Sequence, residues 1–155
     1  MARKKLPRVS EPEPRLGVLV DTNVILDVVL ARAPWDRDAT LLFDAIAAGD
    51  VHGFIAGHAV TTTHYVVERE RSRQVATSAI SDMLQLLAVV PLDRADFQRA
   101  LTLGLQDFED AVQVAACLRV GADFLVTRNA RDHRAAPIVT RSAGEVIAML
   151  RAASQ

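Results

Sequence analysis

Apolar positions along the 155-residue chain fall into two alternating patterns, short β-branched runs and longer stretches with helical spacing. Leu16 to Val20 is a continuous apolar run and predicts a buried strand. Asp21-Thr22-Asn23 ends it with capping residues for a helix from about Val24 to Arg32. Pro34-Trp35-Asp36 restarts a helix in which Ala39, Leu42, Phe43 and Ile46 recur on one face as far as Gly49-Asp50. His52 to Ala56 predicts a second strand, followed by helices over Gly57 to about Arg71 and Gln74 to Leu87. Ala88 to Leu92 predicts a third strand. Asp93 then caps a helix toward Leu103, and Asp107 opens another that runs to Val120 and stops at Gly121. Phe124 to Thr127 and Ile138 to Thr140 complete five strands, and Ser142 caps a last helix over Ala143 to Ala152. Short apolar strands alternating with helices require right-handed crossovers, hence a mainly parallel sheet covered on both faces: an α/β fold in three layers.

Composition narrows the class. Half of the residues are apolar, 24% are charged and the mean hydropathy is +0.17, which excludes a disordered chain. No apolar run reaches the roughly 18 residues of a membrane span, and the basic start lacks the apolar stretch of a signal peptide. The single Cys117 rules out a disulfide framework or a cysteine-rich zinc site and fits a reducing cytoplasm. Cys117 lies in an apolar helix and reads as core. The net charge of −1 argues against a broadly basic nucleic-acid binder, but it averages two unlike parts. Residues 1–15 hold three prolines and five cations against two carboxylates, and read as an extended basic tail. Residues 16–155 form the folded domain and hold 13 cations, all arginine, against 17 carboxylates.

In parallel α/β sheets the working groups gather at the carboxyl ends of the strands. The first strand ends in Asp21; the fourth ends in Thr127-Arg128-Asn129, with Asp132 close behind; Asp110 sits in the first turn of the helix between them. Each acid alone has a structural explanation as a helix cap or dipole partner, with Asp107 as cap and Asp110 in the capping-box position. Together, Asp21, Asp110 and Asp132 come from three elements that converge on one sheet edge. Three carboxylates in one cleft repel, and a hard divalent cation relieves them; Mg²⁺ or Mn²⁺ fits better than zinc, because no Cys or His cluster accompanies them. Such a cation suits phosphodiester hydrolysis. Thr127, Asn129 and Asn23 are placed to orient these carboxylates. Arg128, Arg131 and Arg134, just past the fourth strand, are candidates for phosphate contact at the rim. Trp35 reads as packing of a helix start.

The strings VLVDTNVILD, DFEDAVQVAACLRVGADFLVTRN and ARDH, in this order and spacing, resemble the PIN domain of VapC-type toxins over about Leu16 to Leu150. The resemblance implies a PIN-like α/β/α sandwich and a Mg²⁺- or Mn²⁺-dependent endoribonuclease. It also implies a homodimer held inactive by a cognate antitoxin. Asp21, Asp110 and Asp132 match the family's acidic metal positions, Thr127 and Asn129 its polar pair, and Asn23 its supporting asparagine. One position departs: the family's glutamate after the second strand is matched by Thr62, which has a hydroxyl and no charge. Glu68 lies six residues on, roughly 240° around the helix, and faces elsewhere. His58, four residues before Thr62, shares its face. The alternative expectation is therefore a PIN-fold binding protein with a weakened or inactive site.

Overall fold

The five strands of the computed structural model, which describes residues 15–155, all run parallel. They are β1 (Leu16–Val20), β2 (Val51–Ala56), β3 (Ala88–Val90), β4 (Phe124–Val126) and β5 (Thr140–Arg141), in the spatial order β3-β2-β1-β4-β5. The basic tail expected at the start of the chain lies outside the described residues, apart from Arg15. The connecting helices are α1 (Thr22–Val29), α2 (Asp36–Ala48), α3 (Gly57–Glu70), α4 (Arg73–Leu86), α5 (Arg94–Thr102), α6 (Phe108–Val120) and α7 (Ala143–Ala153). A 3₁₀ turn at Ala130–His133 was not expected from the periodicity.

The order of strands decides where the site lies. From β1 the chain steps to β2 and β3, then returns across the sheet to β4 and β5 on the other side of β1. The crossovers change direction between β1 and β4, and the ends of these two strands splay their connections apart to leave a crevice. On the return, α6 packs against β1, β2, β3 and β4 in turn, while α2 and α7 pack together. This places helices on both faces, the three-layer sandwich that the alternating pattern predicts.

The core follows the pleat of the central strand. Val18, Leu19 and Val20 are fully buried because both faces of β1 are covered, by Leu42, Ile46, Val146 and Ile147 from α2 and α7, and by Val114, Ala116 and Cys117 from α6. Burial pushes the Cys117 thiol up to about 11, which marks it as an inert packing residue. In β2, Gly53 leaves room for the ends of two side chains. A Cβ there would stand 2.6 Å from Leu87 Cδ2 and 2.9 Å from Ile46 Cδ1. Gly121 ends α6 at φ +63°, a left-handed conformation that leaves glycine as the favoured residue.

Several boundaries differ from expectation; β2 starts at Val51, β4 ends at Val126 and α1 ends at Val29. β3 stops at Val90 because Pro91 has no N–H for the ladder. α1 begins at Thr22, directly after Asp21, so that strand and helix share a single hinge residue. The fifth strand forms at Thr140–Arg141 and not at Ile138 to Thr140, although the Val139 carbonyl still accepts the Leu125 N–H at 2.9 Å.

Candidate functional site

At the crevice between β1 and β4 lies a cleft of about 710 Å³. Its floor is Asp21. The backbone N–H of Asp21 donates to the Val126 carbonyl at 2.9 Å, and this ties the end of β1 to the end of β4. Asp21 occupies the N-cap position of α1, yet its side chain makes no cap bond. Instead Oδ1 accepts from Gln113 Nε2 at 2.6 Å, and Oδ2 accepts from Thr127 Oγ1 at 2.9 Å. The carboxyl is therefore held in one orientation by α6 on one side and the end of β4 on the other. It is only 4% exposed, and burial raises its pKa above the ordinary value; Thr127, the nearby His133 and the backbone of Asn23 and Thr22 pull the other way.

Asp110 enters from the first turn of α6. Asp107 is the cap, accepting the Asp110 N–H at 3.1 Å, and the reciprocal half of a capping box is missing. The Asp110 carboxyl is left to face the cleft, where burial raises its pKa. His133 lowers it, and the charges of Asp107, Asp21 and Asp132 raise it further. His133, buried in the 3₁₀ turn, sets its Nε2 3.9 Å from Asp110 Oδ1, and its Nδ1 lies 3.0 Å from the Asn129 carbonyl. Thr127 completes the relay, because its hydroxyl accepts the Asn129 N–H at 3.1 Å while donating to Asp21.

Of the residues singled out from the sequence, Asp21, Asn23, Thr62, Asp110, Asn129, Arg131, Asp132 and Arg134 all line this one cleft, with Thr127 bonded beneath it. Arg128 does not. Its guanidinium lies 3.3 Å from the buried Asp27 carboxylate and 4.0 Å above the Trp35 ring, which places it in a structural pair away from the cleft. Thr62 donates its hydroxyl to the His58 carbonyl one turn back, at 3.2 Å.

Glu109 and Gln113 of the cleft, and His133 beside Asp110, carried no expectation. Gln113 had a legible signal, being a polar residue inside the apolar run from Ala111 to Cys117 and one turn after Asp110. His133 had none, because the 3₁₀ turn has no hydrophobic period to read.

The donor set suits a hard divalent cation. It consists of carboxylate, hydroxyl and amide oxygens, and Gln113 Oε1 is buried with no hydrogen-bond donor. Among the described residues no three His, Cys, Asp or Glu side chains converge on one point, so the acids stand around the cleft without forming a closed cage.

The PIN domain family model matches residues 17–131. Ribonuclease VapC1 of Aquifex aeolicus (strain VF5) is 22% identical over 117 residues, which are 72% of this chain and 81% of that protein. VapBC2 of Rickettsia felis, solved bound to a DNA fragment from its promoter, superposes at a TM-score of 0.63 with 13% identity, covering 82% of this chain and 98% of that one. VapC20 of Mycobacterium tuberculosis, a sarcin-ricin loop cleaving toxin, superposes at 0.59 with 17% identity, covering 70% and 86%. At these identities the solved structures establish a common fold. The family match is broader than a shared architecture, since it runs from β1 through β4 and into the turn that carries His133, and the chain belongs to the PIN domain family.

Proposed function

We propose that this chain is a Mg²⁺- or Mn²⁺-dependent endoribonuclease that acts as the toxin of a cytoplasmic toxin–antitoxin pair. The observation that carries the reading is the buried Asp21 carboxyl, held by two side-chain donors at the floor of a cleft that Asp110 and Asp132 also enter. A carboxyl with only a capping role has no need of this arrangement. The similarity to Ribonuclease VapC1 supports the activity, and the similarity to VapBC2 supports a cognate antitoxin as partner; a homodimer is the proposed working assembly.

Asp21, Asp110 and Asp132 would hold the cation, with Gln113 and Thr127 fixing Asp21 and His133 placed beside Asp110. When bound, the cation supplies charge neutralisation, polarisation of a phosphate oxygen and a lowered pKa for water. The chain's own residues do the rest. Arg131 and Arg134 stand at the mouth of the cleft, where a phosphate backbone passes. Asn129 is held by the Thr127 hydroxyl and lines the same wall. Asp21 keeps one geometry through the reaction because both its oxygens are already engaged. Such a cleft takes an exposed backbone, so single-stranded or looped RNA is the substrate in preference to a regular duplex.

The test is cleavage of a single-stranded RNA by the purified chain with Mg²⁺ or Mn²⁺. Activity is expected with either metal, none in excess EDTA, and none for Asp21→Asn or Asp110→Asn with their fold intact by circular dichroism. Undiminished cleavage by both variants would overturn the assignment.

A further inference from the structure

The wall of the cleft formed by α3 contributes Thr62 and Val66 and no acid. The carboxylate on that side comes from α6. Glu109, next to Asp110 in the first turn, lines the cleft and sets its Oε1 3.8 Å from Nε2 of His58, which is on α3 one turn before Thr62. Neither ring nitrogen of His58 has a hydrogen-bond partner, so Glu109 takes no hydrogen bond from that side. Glu109 shares the cleft with Asp107, Asp21 and Asp110, all of like charge.

An acid among acids is unfavourable unless a cation joins them. A second observation, independent of the acids, points the same way. Gln113 is 1% exposed and lines the same cleft; its amide nitrogen is spent on Asp21 and Thr22, and its Oε1 meets no donor. A buried carbonyl oxygen left in this state calls for a ligand that accepts electron pairs.

We propose that Glu109 is a fourth carboxylate of the divalent-cation site with Asp21, Asp110 and Asp132, and that it supplies the charge on the α3 side of the cleft. This rests on the reading of the cleft as a cation site. Glu109 holds the cation, or one of its waters, against the wall that carries Thr62. His58 backs the carboxylate with an apolar-leaning ring and leaves its charge to the cation.

Calorimetric titration of the full chain with Mn²⁺ alone, without RNA, tests this. The wild type is expected to bind saturably, Glu109→Gln to bind at least tenfold more weakly, and Glu68→Gln, on the exposed part of α3, to bind as the wild type does. Thermal melts without metal confirm that the variants are folded, and Glu109→Asp provides a second variant, with expected affinity between the wild type and Gln. Unchanged binding by Glu109→Gln overturns the proposal and leaves the cation site standing. Equal weakening by Glu68→Gln reduces the effect to general charge and overturns it too. Absence of binding by the wild type overturns the cation reading itself.

Discussion

Asp110 carries a charge that its surroundings in the fold disfavour. Burial and three neighbouring acids raise its pKa above 3.8 in the folded chain. A carboxyl with a raised pKa holds its proton more tightly when folded than when unfolded. The folded state is therefore favoured below the ordinary value, and that advantage is lost as pH rises through the raised one. At neutral pH the charged Asp110 opposes folding. Asp110→Asn keeps the shape and removes the charge, so in metal-free buffer its Tm is expected to exceed that of the wild type at pH 7 by a few degrees. The gap should close below pH 3.8. Thermal melts across that range check this, and a variant less stable than the wild type at pH 7 would refute it. At this scale the sequence was legible for residues at strand ends. Asp21 and Asp110 were placed in the cleft by topology alone, whereas Glu109 carried no expectation and Arg128 looked like a rim cation. What separates Arg131 from Arg128 is which way a side chain leaves a turn, and that depends on Asp27 and Trp35, a hundred residues earlier in the chain.

The elements were more legible than the side chains, because periodicity reports burial and burial fixes helices and covered strands. Among the described residues, the five strands and seven helices stand close to where the apolar pattern places them. The misses fall where the pattern is short. β5 is two residues long and its position is set by pairing with β4, not by its own apolar content. The turn at Ala130–His133 is held by local backbone bonds and by the Nδ1 contact of His133 with the Asn129 carbonyl. Gly53 illustrates a limit of propensity reading, since an isolated glycine weakens a strand on its own terms and here makes room for its neighbours. Gly53→Ala would press a methyl group against the ends of Leu87 and Ile46, both buried, and force them to shift. A loss of about 1–3 kcal/mol is expected, the usual cost of an overpacked core. Urea unfolding should show a lower midpoint at unchanged m-value; a midpoint equal to that of the wild type would mean that the two side chains re-pack freely.

For the whole molecule the question is how a chain with a net charge of −1 would meet the RNA proposed as its substrate. The acids of the cleft come largely from β1 and the start of α6, and the cations Arg131 and Arg134 come from the turn after β4. Electrostatic attraction for a polyanion is therefore local, carried by one loop on one rim, and overall charge is a poor guide to it. On this reading each arginine that reaches a phosphate of a single strand adds about 0.7 to the salt dependence of binding, so an Arg131→Gln, Arg134→Gln double variant should lower the slope of log K against log salt by about 1.4. The measurement belongs in the cleavage-defective Asp21→Asn background, where the RNA survives. Arg128→Gln should behave in the opposite way. It leaves the slope unchanged but strands Asp27, which is 1% exposed, without its charge partner, at a cost of about 3 kcal/mol of stability. A reduced slope for Arg128→Gln, together with an unaltered one for the double variant, would exchange the roles of these arginines and move the RNA path off the cleft.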